Sequence, residues 1–228
     1  MKFRIIHRAE TASTNLDARE GAPGDVFTAD YQTAGRGRLD HRWEAAPGEN
    51  LLMSVVLDVA GLEAAQIATL PLVAGLAVAK AVSATAPARI KWPNDVYVEA
   101  RKIAGILCEL QGTHAIVGLG VNVRQQVFPA ELEAKATSYA RLGASASVLQ
   151  VRDAVLEELS AAYERWRREG FGAVWPELAE RDFLKGRQVR VFRTDDDAHP
   201  LVGRCGGIAA DGAVLVDGHA VYSGEVRW

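Results

Sequence analysis

Short apolar runs alternate with two long helical stretches along this chain, and the pattern predicts an α+β fold. The runs with the length and residue types of strands are 2–8, 25–32, 50–59, 89–92, 95–98, 102–110 and 115–123. Apolar residues recur with helical spacing over 62–85, where Pro71 predicts a break, over 148–168 and over 173–183. We therefore expect a mixed central β-sheet flanked by helices.

The pattern changes after Gly186. Residues 186–228 are rich in glycine and contain short alternating runs. The sequences Ala210-Asp211-Gly212 and Asp217-Gly218 between these runs are typical of hairpin turns. We predict a small SH3-like β-barrel over 185–228 that follows a larger domain over 1–184.

Charge and cysteine content narrow the class of protein. The 228 residues include 26 Lys and Arg against 29 Asp and Glu, so we expect no nucleic-acid partner bound through a basic net field. Cys108 and Cys205 form no recognisable motif, which favours a reducing, cytoplasmic compartment. The uncharged stretch 64–79 is shorter than the ~20 residues of a spanning helix, and the first residues do not resemble a signal peptide. We therefore expect no membrane association.

The polar loop over 33–48 is the first candidate for chemistry. It alternates glycine with arginine and then adds a cation and an aromatic ring, in the order Gly35, Arg36, Gly37, Arg38, Arg42 and Trp43. Glycine lets the backbone approach a ligand closely while guanidinium groups bind its phosphate or carboxylate. A solvated basic loop is the alternative interpretation.

The pentapeptide Lys91-Trp92-Pro93-Asn94-Asp95 is the second candidate. Lys91 ends an apolar strand just before a proline turn, which is a rigid place for a positive charge beside an anion. The alternative is a surface lysine next to a core tryptophan.

Two weaker signals complete the set. Ser13-Thr14-Asn15, taken alone, is typical of a helix N-cap, and glycine inside a strand at Gly118 and Gly120 indicates close approach of a ligand or another backbone. The sequence contains no phosphate-loop lysine motif, nucleophile elbow or metalloprotease motif, and its histidines lack metal-ligand spacing. Any metal ligands are therefore unknown at this point.

In combination, these motifs resemble those of the biotin protein ligase family. The matching segments are STN at 13–15, Gln32, GRGR at 35–38 with Trp43, KWPND at 91–95, RKIAGIL at 101–107 with Glu109, and GLGVNV at 118–123. FPAEL at 128–132 and ATS at 136–138 also fit.

The resemblance implies a two-step reaction. The biotin carboxylate attacks the α-phosphate of ATP to give biotinyl-5′-AMP, and a lysine of a carboxylase biotin carrier domain then attacks this mixed anhydride. The expected substrates are biotin and ATP with Mg²⁺, without a tightly bound prosthetic group. Such chemistry needs positioned anions and stabilised negative charge rather than an enzyme nucleophile.

The resemblance also implies roles for individual residues. Lys91 and Arg38 are the expected catalytic residues. The expected biotin-binding residues are Ser13, Thr14, Asn15, Gln32, Arg36, Gly37, Arg38, Lys91, Gly118 and Gly120. The expected nucleotide-binding residues are Gly35, Arg36, Arg42, Trp43, Asn94, Lys102 and Asn122.

Three departures and two alternatives accompany the resemblance. His41 stands where the family usually has arginine, Tyr139 stands where it usually has leucine, and the 12 residues before Ser13 are too few for an N-terminal DNA-binding domain. We therefore expect a ligase without repressor function, and the sequence leaves open whether it forms a homodimer. The alternatives are lipoate or octanoyl transfer, and a non-catalytic biotin-binding sensor.

Overall fold

The computed structural model describes residues 1–38, 41–193 and 196–228, and these residues form two sheets and a helical layer. The strands of the first sheet are β1 (Arg4–Thr11), β2 (Asp25–Gln32), β3 (Asn50–Asp58), β4 (Ala88–Lys91), β5 (Asp95–Val98), β6 (Arg101–Gln111) and β7 (His114–Asn122). The helices are α1 (Thr14–Asp17), α2 (Ala64–Ile67), α3 (Leu70–Ser83), α4 (Val148–Glu169) and α5 (Trp175–Glu180). The predicted α+β class is confirmed.

The first sheet has the strand order β1-β2-β3-β7-β6-β5-β4. Only β1 and β2 run parallel, and the remaining neighbours are antiparallel, so the sheet is mixed as predicted. Side chains alternate between the two faces of each strand. Val55 of β3 and Val117 of β7 therefore join the core beneath the helices, whereas Ser54 and Gly118 face the other side of the sheet.

Helices α3 and α4 pack together over one face of this sheet. The predicted helix over 62–85 is two helices, because Pro71 lies in the first turn of α3 and favours a new helix start there. Segment Ala64–Ser83 is long and apolar enough to cross a membrane by composition, but 67% of its most apolar window is buried inside the fold. Most of α3 is therefore part of the core.

The second long helix, α4, begins with a capping box. Ser147 accepts a hydrogen bond from the Gln150 backbone N–H, and the Gln150 side chain accepts one from the Ser147 N–H. Its apolar face includes the fully buried Trp166, whose Nε1 donates to Thr69 Oγ1 at 2.9 Å beside α3. These contacts hold the helical layer on the sheet.

The predicted helix over 173–183 is shorter than expected. A 3₁₀ turn covers Phe171–Ala173, and α5 ends at Glu180. The next residues pair with β4 instead, because the Ile90 N–H donates to Arg181 O and the Phe183 N–H donates to Ile90 O. The spacing of apolar residues could not show that residues 181–183 would pair with the edge strand of the sheet instead of continuing the helix.

The second sheet contains β8 (Gln188–Arg193), β9 (Asp196–Ile208), β10 (Val214–Val216), β11 (His219–Val221) and β12 (Glu225–Arg227) in the order β11-β10-β9-β8-β12. Asp217 and Gly218 both have positive φ between β10 and β11, which confirms the predicted hairpin turn. Among the described residues β11 and β12 do not pair, so closure into an SH3-like barrel is not confirmed. The domain boundary between 184 and 185 stays a prediction.

Side-chain hydrogen bonds join the second sheet to the first. Trp92 Nε1 donates to Gly212 O at 3.0 Å, and the Ile208 N–H donates to Asp182 Oδ2 at 2.8 Å. The apolar side chains of both sheets belong to one continuous core. This packing places β12 beside the face of the first sheet that the helices leave free.

Candidate functional site

A cavity of about 710 Å³ lies on the helix-free face of the first sheet. Its floor comes from β6 and β7, and its walls come from the loop after β2, the segment 128–136 and strand β12. The cavity is of the size that holds a small ligand or cofactor.

Glycines make the floor of this cavity. Gly118 and Gly120 of β7 and Gly105 of β6 face it, and Gly105 pairs with Gly120 across the two strands. A Cβ at Gly118 would overlap the Asn15 amide, and a Cβ at Gly120 would overlap the Trp43 ring. The close approach that the sequence predicted at Gly118 and Gly120 is therefore present.

One end of the cavity holds neutral polar side chains that bond to one another. The Thr14 N–H and Oγ1 donate to Gln32 Oε1 at 2.7 and 3.0 Å. Ser54 Oγ lies 2.7 Å from Thr14 Oγ1 and 2.6 Å from Asn15 Oδ1. We call the cavity-lining residues Ser13, Thr14, Asn15 and Gln32, together with the fully buried Ser54 behind them, the neutral end.

The helix-cap interpretation of Ser13-Thr14-Asn15 is right about where α1 begins but wrong about what the side chains do. Ser13 is the N-cap residue of α1, but its side chain makes no capping hydrogen bond. Ser13, Thr14 and Asn15 are all buried, and all three line the cavity.

The carboxylate of Glu109 contacts both the neutral end and Arg36 of the loop over 33–48, which we call the arginine loop. Glu109 Oε2 accepts from Asn15 Nδ2 at 2.6 Å, and Glu109 Oε1 accepts from Arg36 at 3.1 Å and from Arg19 at 3.4 Å. Burial acts to raise the pKa of Glu109, but the Asn15 hydrogen bond and the two guanidinium charges outweigh it and lower the pKa overall. Glu109 is therefore held as the anion.

Lys91 lies in the middle of the cavity at the end of β4. Its side chain is 9% exposed, and its Nζ lies 4.0 Å from Asp95 Oδ2, 5.1 Å from the centre of the Trp228 ring and 5.9 Å from that of Tyr97. Burial lowers the pKa of Lys91, although the Asp95 charge opposes the shift. A desolvated ammonium of this kind interacts strongly with an anion brought beside it.

Arg38 reaches the same region from the loop after β2. Its Nη1 donates to Asn94 Oδ1 and to Gly224 O, both at 3.3 Å. Burial lowers the pKa of Arg38, and the charges of Asp95 and Glu225 oppose the shift. With Lys102, which forms a 2.6 Å ion pair with Asp95, Lys91 and Arg38 make what we call the cationic centre.

The far end of the cavity is lined by a tryptophan ring and an apolar wall. Trp43 lies over Gly120 with Lys102 Nζ 5.6 Å from its ring centre, and Phe128 and Leu132 line the cavity opposite the sheet. Trp43 Nε1 is buried and has no hydrogen-bond partner within the described residues, so its N–H is available to donate a hydrogen bond to a ligand there.

The structure brings nearly all the sequence-predicted site residues to this one cavity. They are Ser13, Thr14, Asn15, Gln32, Arg36, Gly37, Arg38, Arg42, Trp43, Lys91, Asn94, Lys102, Gly118, Gly120 and Asn122. Gly35 lies apart, packed against the Trp43 backbone, and lines a second cavity of about 340 Å³.

Several of these residues bond to the protein itself rather than pointing only into the cavity. The Arg36 guanidinium contacts Glu109, and Arg42 donates to Thr33 O at 3.2 Å. Asn94 Nδ2 donates to Ile106 O at 2.7 Å, and Asn122 Nδ2 donates to Thr137 O at 3.0 Å. These four side chains fix the shape of the walls.

Sequence reasoning missed four residues of the site. Ser54 lies in an apolar strand and Trp228 directly follows β12 of the second sheet, so only the tertiary fold brings them here. Asp95 and Glu109 stand within the quoted motifs, and their roles appear only with their partners. The signal that could have indicated Asp95 is its position directly across the β4–β5 turn from Lys91.

The described residues contain no group of three or more His, Cys, Asp or Glu side chains that could hold a metal ion. The carboxylates that line the cavity are Glu44, Asp95 and Glu225. These three carboxylates do not form such a group, and Asp95 is already paired with Lys102, so the structure assigns no metal ligands among the described residues.

The cavity joins a neutral polar end to a cationic centre and aromatic rings, and this lining suits a ligand with a neutral polar head and an anionic group. The Biotin/lipoate A/B protein ligase family model matches residues 6–122, and the chain belongs to this family.

Individual relatives agree with this assignment. The chain is 37% identical to the biotin–[acetyl-CoA-carboxylase] ligase of Mycobacterium tuberculosis, over 80% of this chain and 72% of the relative. It is 31% identical to the ligase of that name from Paracoccus denitrificans, over 93% of both chains. The biotin protein ligase from Aquifex aeolicus in complex with biotin and ATP superposes with a TM-score of 0.88 at 30% identity, over 98% of both chains.

Proposed function

We propose that this protein is an ATP-dependent biotin protein ligase. It activates biotin to biotinyl-5′-AMP and transfers the biotinyl group to a lysine of a carboxylase biotin carrier domain. The observation that carries the proposal is that the buried ammonium of Lys91 lines the same cavity as the neutral end and the rings of Trp43 and Phe128.

The neutral end suits the ureido head of biotin. A ureido group has two N–H donors and one carbonyl, so it needs short polar side chains that both donate and accept. Thr14, Asn15 and Gln32 line the cavity and supply these groups, and the buried Ser54 behind them bonds to Thr14 and Asn15 and helps to orient both. The dithiolane ring of lipoate has no such donors or acceptors, so this end favours biotin over lipoate.

The cationic centre suits the reacting anions. A biotin carboxylate and the α-phosphate of ATP repel each other, and Lys91 and Arg38 offset this repulsion where the two groups meet. The carboxylate oxygen then bonds to the α-phosphorus as the bond to the pyrophosphate oxygen breaks. MgATP is the substrate of this step, and its base would lie between Trp43 and the wall formed by Phe128 and Leu132.

The second step needs only an incoming amine. The uncharged amine of the carrier lysine attacks the acyl carbon of biotinyl-5′-AMP, loses a proton, and AMP leaves with the bonding electron pair. Cys108 and Cys205 are both free, and burial raises the pKa of each thiol, which is consistent with a reaction without a cysteine nucleophile. Free cysteines also support the proposed cytoplasmic location.

One assay tests the proposal against both alternatives. The purified protein is incubated with α-labelled MgATP and either biotin or lipoate, and labelled acyl-AMP is measured with and without a biotin carrier domain. We expect an adenylate with biotin only, and biotin on the carrier lysine when the domain is added. An adenylate with lipoate alone would contradict the substrate, and biotin binding without any adenylate would indicate a sensor.

A further inference from the structure

Glu109 bonds to both the neutral end and the arginine loop, although it does not line the cavity itself. It lies on β6 with its side chain 22% exposed. One carboxylate oxygen accepts from Asn15, and the other accepts from Arg36 and Arg19. A single anion therefore links two parts of the site that lie 21 residues apart in the chain.

The bond to Asn15 fixes the orientation of a buried amide. Asn15 is 4% exposed, and its Oδ1 lies 2.6 Å from Ser54 Oγ while its Nδ2 donates to Glu109. Without an acceptor at Glu109, a buried N–H would lose its partner, or the amide would turn over. Either change would disturb the surface that faces the ligand head.

The bond to Arg36 fixes the loop that carries Arg38. Among the described residues, Glu109 is the one side chain that bonds to the Arg36 guanidinium. The backbones at Arg36 and Arg42 pair as an isolated bridge, so holding Arg36 also holds the neck of this loop. Arg38 follows two residues later and reaches the cationic centre.

We infer that Glu109 is a positioning residue that couples the neutral end to the placement of Arg38. The inference rests on the proposed function, because it assigns Glu109 a part in adenylate formation. Its two carboxylate oxygens serve different purposes. One accepts a hydrogen bond from the amide of Asn15, and the other forms an ion pair with Arg36.

Two substitutions separate these purposes. Glu109→Gln keeps an oxygen that accepts from Asn15, but it places an amide N–H against the donors of Arg36 and Arg19. Glu109→Ala removes both interactions. A biotin KM reports on the neutral end, whereas kcat for adenylate formation reports on the placement of Arg38.

We expect Glu109→Gln to lower kcat by roughly two- to fivefold, the range for a partly exposed ion pair, and to leave the biotin KM within about twofold. Arg36→Gln should lower kcat by the same factor, the double variant should be no slower than either single one, and Arg36→Lys should recover most of the rate. Glu109→Ala should also raise the biotin KM, by on the order of tenfold, because Asn15 loses its acceptor.

Glu177 offers a matched control. Its carboxylate also binds two cations, Arg165 and Lys80, but among the helices and away from the cavity. Glu177→Gln should leave both kcat and KM at the wild-type values, and thermal unfolding of every variant shows whether it folds.

If the decreases in kcat from Glu109→Gln and Arg36→Gln multiply in the double variant, the two residues are not coupled and the inference is overturned. An unchanged kcat in Arg36→Gln would overturn it too. If the Glu109 variants do not fold, Arg36→Gln and Arg36→Lys, which change an exposed residue, still test the inference. If the wild type and Glu177→Gln form no adenylate, the proposed function fails instead.

Biotin affinity measured by calorimetry then tests the contact between Glu109 and Asn15 without any catalytic step. Equal affinities of Glu109→Ala and Glu109→Gln for biotin would contradict a role of this contact.

Discussion

The neutral end and the cationic centre share one cavity but are built in opposite ways. At the neutral end, the side chains of Thr14, Gln32 and Ser54 already satisfy one another through hydrogen bonds. At the cationic centre, Lys91, Arg38 and Lys102 crowd around Asp95. The neutral end is therefore organised before a ligand arrives. The cationic centre instead carries positive charge that an anionic ligand would neutralise.

This difference separates recognition from chemistry. A neutral, preformed hydrogen-bond network selects a ligand by shape and by donor pattern at little cost in ordering. Excess positive charge in a site of low dielectric stabilises the negative charge that accumulates during the reaction. Substitutions at the two ends should therefore change different kinetic constants.

Lys91→Ala should have the largest effect, on the rate constant alone. Losing one fixed charge of this kind costs on the order of 2.7–4 kcal/mol of barrier, or about 100- to 1,000-fold in kcat for adenylate formation. Folding should be intact, because the contacts that the variant loses are long, 4.0 Å to Asp95 and 5.1 Å to the centre of the Trp228 ring. Labelled ATP measures the rate, and Lys80→Ala, on the helical layer, is the control; an adenylate formed at the normal rate would remove Lys91 from the mechanism.

Arg38→Gly should weaken retention of the intermediate by roughly 10- to 100-fold, the range for a hydrogen bond to a charged group. Free biotinyl-5′-AMP should leave the site and label lysines of an added bystander protein. Mass spectrometry of that protein measures the leak, with the surface variant Arg168→Gly as control. Labelling confined to the carrier domain, at an unchanged rate, would count against this role.

Gly118→Ala should damage the neutral end selectively. The new methyl group overlaps the Asn15 amide, and overpacking of this kind costs about 1–3 kcal/mol. We expect the biotin KM to rise about tenfold while the KM for ATP stays unchanged. Gly75→Ala is the matched control, because its new methyl group would approach no side chain closer than 3.7 Å; a rise in both KM values would show that the two ends are not separable.

The pH dependence of kcat/KM should show the smallest effect, and it concerns the cationic centre. Burial lowers the pKa of Lys91, so the lysine loses its proton at a lower pH than an exposed lysine, and kcat/KM falls as pH rises through this lowered pKa. In the same window the unfolded chain binds more protons, so the Lys91 contribution to stability increases with pH. A pH series with wild type and Lys91→Arg tests this; a falling limb that stays in place in Lys91→Arg belongs to another group.

The sequence predicted the parts of the molecule that depend on local pattern. Strands β2 and β5 have the predicted bounds, and the predicted hairpin turn is present at Asp217-Gly218, where both residues have positive φ. The motif residues were recognised through their combined resemblance to a known family, because each motif taken alone left a non-functional interpretation open. The residues missed at the site, among them Ser54 and Trp228, depend on sheet register and on packing between the two sheets, which no local pattern records.

The same limit explains the two errors of interpretation. Ser13 has the residue type of a helix cap, but its neighbours Thr14 and Asn15 take their bonds from strands that are distant in sequence. The segment after Glu180 has helical spacing, but pairing with β4 satisfies its backbone instead. In both places a tertiary partner outweighed a local preference.

The glycine floor limits how the ligand range of this enzyme can be changed by mutation. Pockets are commonly enlarged by trimming side chains, but Gly105, Gly118 and Gly120 have no side chain to remove. Room for a bulkier ligand analogue must therefore come from the roof, where Trp43 rests on Gly120 and 3.0 Å from the Cβ position of Gly105. Directed evolution toward larger analogues should collect its substitutions at Trp43 and the loop that carries it, and leave the strands beneath unchanged.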